Sequence, residues 1–345
     1  MADDEDLVEA MLAAPVGVAL LGSIERRAAG ARHLPELTEG TRPISVDLGA
    51  ELVDELPWPA LLELVLEAAD IAGPWHSTAV RSLVAAYTDA PARRPIAEAV
   101  AERFGGRLDA PLDPSAQEWW TDEAMPSDHR FFERFDRVYG RGAFTFGGLW
   151  TVTAPPSAIH DELISGSWDF VGPPERWSLP ADPTADVVEV HRPSDWAALV
   201  ERFPSVAAGR HVGWELPGLN QSEVGLAALL RVPGQHAAHH RDTYLAPDWA
   251  AVAAAHDAVH LSWAGFLTSE GYVSPLSGGG VAMLRYWGSE RTLWLRDRFG
   301  EPTPLPPAAM GEHEPAPDLQ ADAARAERSR SALLRSMGRG PGVSP

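Results

Sequence analysis

The chain has 345 residues, 45% of them hydrophobic, and a formal net charge of −21 from 49 acids against 28 bases. That length and composition imply one large folded domain or two ordinary ones, with a core that needs no disulfide or metal staple. Cysteine is absent, which excludes a disulfide framework, a cysteine nucleophile and thiolate-ligated zinc.

The acidic field disfavours nucleic-acid phosphates and anionic membranes, leaving a basic protein or a small molecule as the expected partner. The start, MADDEDLVEA, is acidic, whereas a secretory signal opens with positive charge and an apolar run. The early apolar stretch Val16 to Leu21 is short, and no run approaches the roughly eighteen residues needed to span a bilayer. A soluble cytoplasmic protein is expected.

In chain order, the region 1–110 reads as all-α. Asp6 to Ala14 is amphipathic and limited by Pro15. From Trp58 to Ala69 the residues Leu61, Leu62, Val65, Leu66 and Ala69 recur at the helix period, and Gly73-Pro74 stops them. Ser77 to Tyr87 and Pro95 to Phe104 repeat the pattern. The stretch from Asp109 to Pro126 is rich in proline and acids and reads as a boundary or strapped loop.

The region 128–300 changes character and reads as α+β. Asp128 to Val138 has a helical pattern, and Phe144 to Val152 is aromatic and branched, as in strands. Val187 to Val190 reads as a strand, followed by a helix from Asp195 to Phe203. A second helix is expected near Asp248 to His256, then a strand from Val259 to Phe266. Val281 to Trp287 and Thr292 to Leu295 flank Gly288-Ser-Glu-Arg291, the pattern of a hairpin. The resulting expectation is an N-terminal all-α region followed by a mixed, mainly antiparallel sheet domain with helices. Residues 301–345 are rich in proline, alanine and charge and read as a disordered tail.

Nucleotide-binding glycine motifs, the GxSxG elbow, HExxH and the EF-hand loop are all missing, and no motif names a cofactor. His236, His239 and His240 have helical ligand spacing, but Ala237 stands where a metalloprotease has glutamate. That segment reads as a surface loop rather than a metal site. Arg285, Arg291, Arg296 and Arg298 are interleaved with acids and read as a solvated sheet edge.

His260 is the candidate acid–base residue. On a strand, it and Ser262 face away from Val259, Leu261 and Trp263, and an imidazole titrates near neutrality. Ser262 would orient substrate or water, and Glu290 would add charge from the hairpin loop. Arg291 would add charge beside Glu290 and is a candidate ligand-binding residue, and Arg285 is the candidate anion anchor. Trp263 is a candidate aromatic wall, although most of the thirteen tryptophans serve as core. Three functions fit: a group-transfer or hydrolytic enzyme acting on a small polar molecule, an acidic interaction or immunity/antitoxin-like module, and an accessory subunit.

Overall fold

The computed structural model describes residues 4–28, 46–72, 89–121, 149–156, 175–206, 244–284 and 287–306. The segments 77–87 and 128–138, the histidine cluster at 236–240, Arg285 and the tail beyond 306 lie outside the described residues.

The first half is helical: α1 (Asp4–Ala13), α2 (Pro15–Ala28), α3 (Val46–Glu55), α4 (Trp58–Ala72) and α5 (Arg94–Leu108). Pro15 opens α2, where its fixed φ suits a first helical residue, and Arg26 and Arg27 lie in the last turn, where cations oppose the helix dipole. Every residue from Pro15 to Glu25 is buried. The short apolar stretch Val16 to Leu21 is therefore the middle of a helix enclosed on all sides, which masks any amphipathic stripe. Helix α2 packs on α4 and α3, while α1 packs on α5. Glu25, drawn inside with α2, is matched by Arg93 at 2.7 Å.

The second half is a mixed, mostly antiparallel sheet domain with the helices α6 (Pro193–Arg202), α7 (Trp249–Ala255) and α8 (Trp263–Ser269). Its strands are β1 (Gln117–Thr121), β2 (Leu149–Thr153), β3 (Glu175–Ser178), β4 (Val187–Val190), β5 (Pro204–Val206), β6 (Tyr244–Pro247), β7 (Ala258–Leu261), β8 (Val273–Pro275), β9 (Val281–Met283), β10 (Arg291–Trp294) and β11 (Thr303–Leu305). Seven strands form one sheet in the order β11-β3-β1-β2-β10-β7-β4, and four form another in the order β5-β6-β9-β8. Pairing is antiparallel except β4 with β7 and β6 with β9.

Several expectations need correction. The stretch 109–126 contains β1, whose Trp119 and Trp120 pair in register with Trp177 and Arg176 of β3; it is an interior strand rather than only a connecting loop. The strand expected over Val259 to Phe266 stops at Leu261, because the Ser262 hydroxyl accepts the Gly265 N–H at 3.0 Å and caps α8. An apolar run this short fits either period, so the cap decides. The expected hairpin is not one. Strand β9 belongs to the four-stranded sheet and β10 to the seven-stranded sheet. Between them Trp287 is 1% exposed and meets Trp150 and Trp196 edge-on. Gly288 then turns the chain at φ 74°. Arg291 lies in an interior strand and not on a solvated edge, whereas Arg296 and Arg298, each about 40% exposed, pair with buried Asp257. Residues 303–305 pair with β3, so regular structure extends past 301.

Residues Met1–Ala308 form one compact unit. The main core runs from α1 through α5 to Val190, Val259, Leu261 and Leu293 on one face of the large sheet. The joint between them is α8, which packs on α1, α2, α5 and α6. The opposite sheet face carries a smaller apolar cluster that includes Trp119, Leu149, Ala258 and Trp294. Both faces of β7 are therefore buried, and its even-numbered residues Ala258 and His260 lie on the second face.

Candidate functional site

Strand register brings the site together. In the parallel β4–β7 pair Glu189 stands opposite His260, and in the antiparallel β7–β10 pair His260 stands opposite Thr292. Paired residues share a face, so Glu189 and His260 are neighbours by topology. His260 Nδ1 lies 2.5 Å from Glu189 Oε2, and its Nε2 lies 3.1 Å from Glu290 Oε1. The ring is buried, as is Glu290, while the Glu189 side chain is 28% exposed.

Both carboxylates are held from behind. Glu189 Oε1 accepts the backbone N–H of Leu112 at 3.1 Å. Glu290 accepts the Thr153 backbone N–H and, at 2.8 Å, the Thr153 hydroxyl. Behind Thr153 stands Gln117, whose Nε2 donates to Thr153 Oγ1 at 3.2 Å and whose Oε1 accepts the Thr151 hydroxyl at 2.5 Å. Thr151 Oγ1 in turn accepts the Trp294 indole N–H at 2.8 Å.

Burial alone would drive the His260 imidazolium towards neutrality. The hydrogen bonds to Glu189 and Glu290 outweigh it and raise the ring to about 9. For Glu189, burial opposes ionisation, and the His260 hydrogen bond and charge hold the carboxyl below its ordinary value.

At the C-terminal ends of β4 and β7 the network reaches the surface. His191 follows β4, with its ring Nδ1 3.0 Å from Ser262 Oγ and its Nε2 3.8 Å from Glu189 Oε2. The His191 side chain is 26% exposed. Its position is fixed at the start of α6, where the Asp195 carboxylate accepts the N–H groups of His191 and Arg192 at 2.9 Å. Asp109, 4.0 Å from His191 Nδ1, is clamped by both terminal nitrogens of Arg192 at 2.5 and 2.9 Å. Carboxylates and imidazoles thus alternate from Asp109 through His191, Glu189 and His260 to Glu290.

The structure brings three of the sequence candidates into this network: His260, Glu290 and, through His191, Ser262. Ser262 is a buried helix cap rather than a strand residue. Arg291 is paired with Leu261 and so points to the other sheet face, where Nε donates to Ser289 Oγ at 3.2 Å. Burial pulls its guanidinium below the ordinary arginine value, against the pull of Glu290 and Glu270. Trp263 is 9% exposed and packs edge-on to Phe266 in the core, so it lines no opening at this site. Arg285 lies outside the described residues.

The sequence reading missed Glu189, His191 and Asp109. The available signal was the string VVEVH, in which a glutamate and a histidine two apart interrupt a branched strand on one face. Among the described residues, no group of three or more histidine, aspartate and glutamate side chains is arranged to hold a metal ion. No single described helix is long and apolar enough to cross a membrane; the α1–α2 pair passes such a test only together, across a 92° bend. No protein-family model, curated protein or solved structure matches the chain.

Proposed function

We propose that this protein is a hydrolytic or group-transfer enzyme acting on a small polar molecule, with His191 as the acid–base residue. The observation that carries this reading is the chain of alternating carboxylates and imidazoles that opens at the carboxyl ends of two adjacent parallel strands, each followed by a helix. In open sheets with such crossovers, the carboxyl ends of the strands are where ligands bind. His191, Glu189 and Asp109, each about one quarter exposed, are the members of the chain that a substrate can reach.

The chemistry follows from the partners. Ser262 has one hydroxyl proton, and its oxygen already accepts from Gly265. Donating that proton to His191 Nδ1 leaves the neutral ring protonated at Nε2 and unavailable as a base there. Rotating it towards Val190 O, at 3.4 Å, lets Nδ1–H donate to Ser262 and leaves Nε2 free as a base. When Nε2 takes a proton from water or a substrate hydroxyl, the Glu189 carboxylate 3.8 Å away stabilises the imidazolium. The released hydroxyl oxygen attacks the substrate, and Nε2–H returns the proton to the leaving group.

The test is turnover on a panel of chromogenic esters, amides and phosphoesters. His191→Gln keeps a polar side chain and is expected to lower kcat/KM by about 10²–10⁴-fold where the wild type is active, with the circular dichroism spectrum unchanged. Equal rates in wild type and variant, or a wild type inert across the panel, would remove the reading.

A second reading is favoured by the net charge of −21 and by the enclosure of His260: an acidic module that covers a basic partner. Co-purification under mild conditions with intact mass analysis discriminates the two. The module requires a stoichiometric basic protein that is released by high salt.

A further inference from the structure

We propose that His260 is the positioning residue of this site: an imidazolium bridging Glu189 and Glu290 that keeps the Glu189 carboxylate ionised and aimed at His191. The proposal rests on the reading of His191 as the acid–base group, but its protonation argument stands on hydrogen-bond direction alone.

The direction is forced from one end. An indole nitrogen only donates, so Trp294 Nε1–H fills an acceptor position on Thr151 Oγ1. The Gln117 amide is oriented from its other side, because Nε2 donates to the Asp113 carbonyl at 2.9 Å, so the Thr151 hydroxyl gives its own proton to Gln117 Oε1. The same Nε2 donates to Thr153 Oγ1. The Thr153 hydroxyl gives its proton to Glu290 Oε1 at 2.8 Å. Glu290 also accepts the Thr153 backbone N–H, so it is an acceptor on this side. Glu189 is likewise an acceptor, taking the Leu112 N–H on one oxygen. His260 stands between them with one ring nitrogen on each. A neutral imidazole has one N–H and would turn a lone pair on one of the carboxylates. Two protons on the ring satisfy both carboxylates by direct contact, at 2.5 and 3.1 Å.

The consequence concerns Glu189. The charged groups around the triad are Arg291 beside Glu290, His191 beyond Glu189, and the Asp109–Arg192 pair, which neutralises itself. His260 is thus the cation in hydrogen-bond contact with Glu189. It fixes one carboxylate oxygen as Leu112 fixes the other, which leaves the group unable to rotate away from His191. His260 touches no exposed surface, so its effect on chemistry passes through Glu189.

Two measurements decide the matter without reference to any activity. In protein labelled with ¹⁵N at histidine, the His260 ring at pH 7 is expected to show two protonated nitrogens and a slowly exchanging Nδ1–H, with deprotonation only on the alkaline side. A neutral His260 ring at pH 7 would overturn the proposal, and this measurement needs no variant. In protein labelled with ¹³C at glutamate, the Glu189 carboxyl is expected to titrate below the ordinary glutamate value of about 4.3. In His260→Gln, which offers a neutral amide and no charge, that midpoint is expected to rise to the ordinary value or above. An unmoved midpoint in folded His260→Gln would also overturn the proposal. Should His191→Gln leave turnover intact while both spectra come out as expected, the assignment of His191 fails and the bridge stands.

Discussion

His260 links folding to pH in a direction opposite to most buried histidines. Its folded value of about 9 lies above the unfolded value of about 6.5, so its contribution to stability is fully present below 6.5 and is lost as pH rises through 9. The shift corresponds to about 3 kcal/mol. All 28 basic residues are arginine, so no lysine titrates across that window to obscure the effect. Urea unfolding followed from pH 6.5 to pH 10 is expected to show a decline of that order, and His260→Gln is expected to flatten it. Glu189 acts at the other limit: its lowered folded value adds stability above the ordinary glutamate range and loses it as pH falls. A buried group of similar design ties the opposite strand ends. Asp257, 2% exposed, accepts the Asp186 N–H and pairs with Arg296 and Arg298. None of these pairings is visible in local sequence, because Glu189 and Glu290 lie 71 and 30 residues from His260.

At the scale of elements, the contact of α8 with β4 positions the site, and one glycine permits it. A Cβ added at Gly265 would lie 2.0 Å from the Val190 carbonyl oxygen and 2.7 Å from Leu261 Cδ1. The first is backbone and cannot swing aside. Gly265→Ala is therefore expected to destabilise the fold by about 3 kcal/mol, read as a lower urea midpoint with the slope unchanged. In any folded fraction, α8 is pushed off β4, which lengthens the Ser262–His191 contact and weakens the proposed acid–base step. Several elements were legible. Helices α4 to α7 follow the helical pattern in their own residues, and strands β2, β4 and β10 are marked by their branched and aromatic runs. Helix α2 and the β7–α8 boundary were not. A helix buried all round has no polar stripe, and the stretch from Val259 to Phe266 satisfies two periods until the Ser262 cap selects one.

At the scale of the whole molecule, a charge of −21 makes the compact state repel itself. Raising ionic strength from about 0.01 M to about 0.5 M shortens the screening length from about 30 Å to below 8 Å. The exposed ion pairs lost in this way, such as Arg94–Glu9, are worth little. The melting temperature is therefore expected to rise with sodium chloride. A fall would mean that surface pairing outweighs the net repulsion.

By itself the sequence determined the class of molecule: an acidic, cysteine-free chain with helices first and a mixed sheet after. Composition and short-range periodicity are sums over neighbours, and these properties depend on nothing more. It also marked His260 and Ser262 as polar residues within an apolar run and Glu290 as a charge in a loop. Only the tertiary structure decided what they touch. The parallel register of β4 on β7 puts Glu189 beside His260, and the end of β10 brings Glu290 to the ring's other nitrogen. The seating of α8 on β4 turns Ser262 towards His191. Strand order and register arise from burying both faces of the large sheet at once, a condition on the whole chain that no window of neighbouring residues contains.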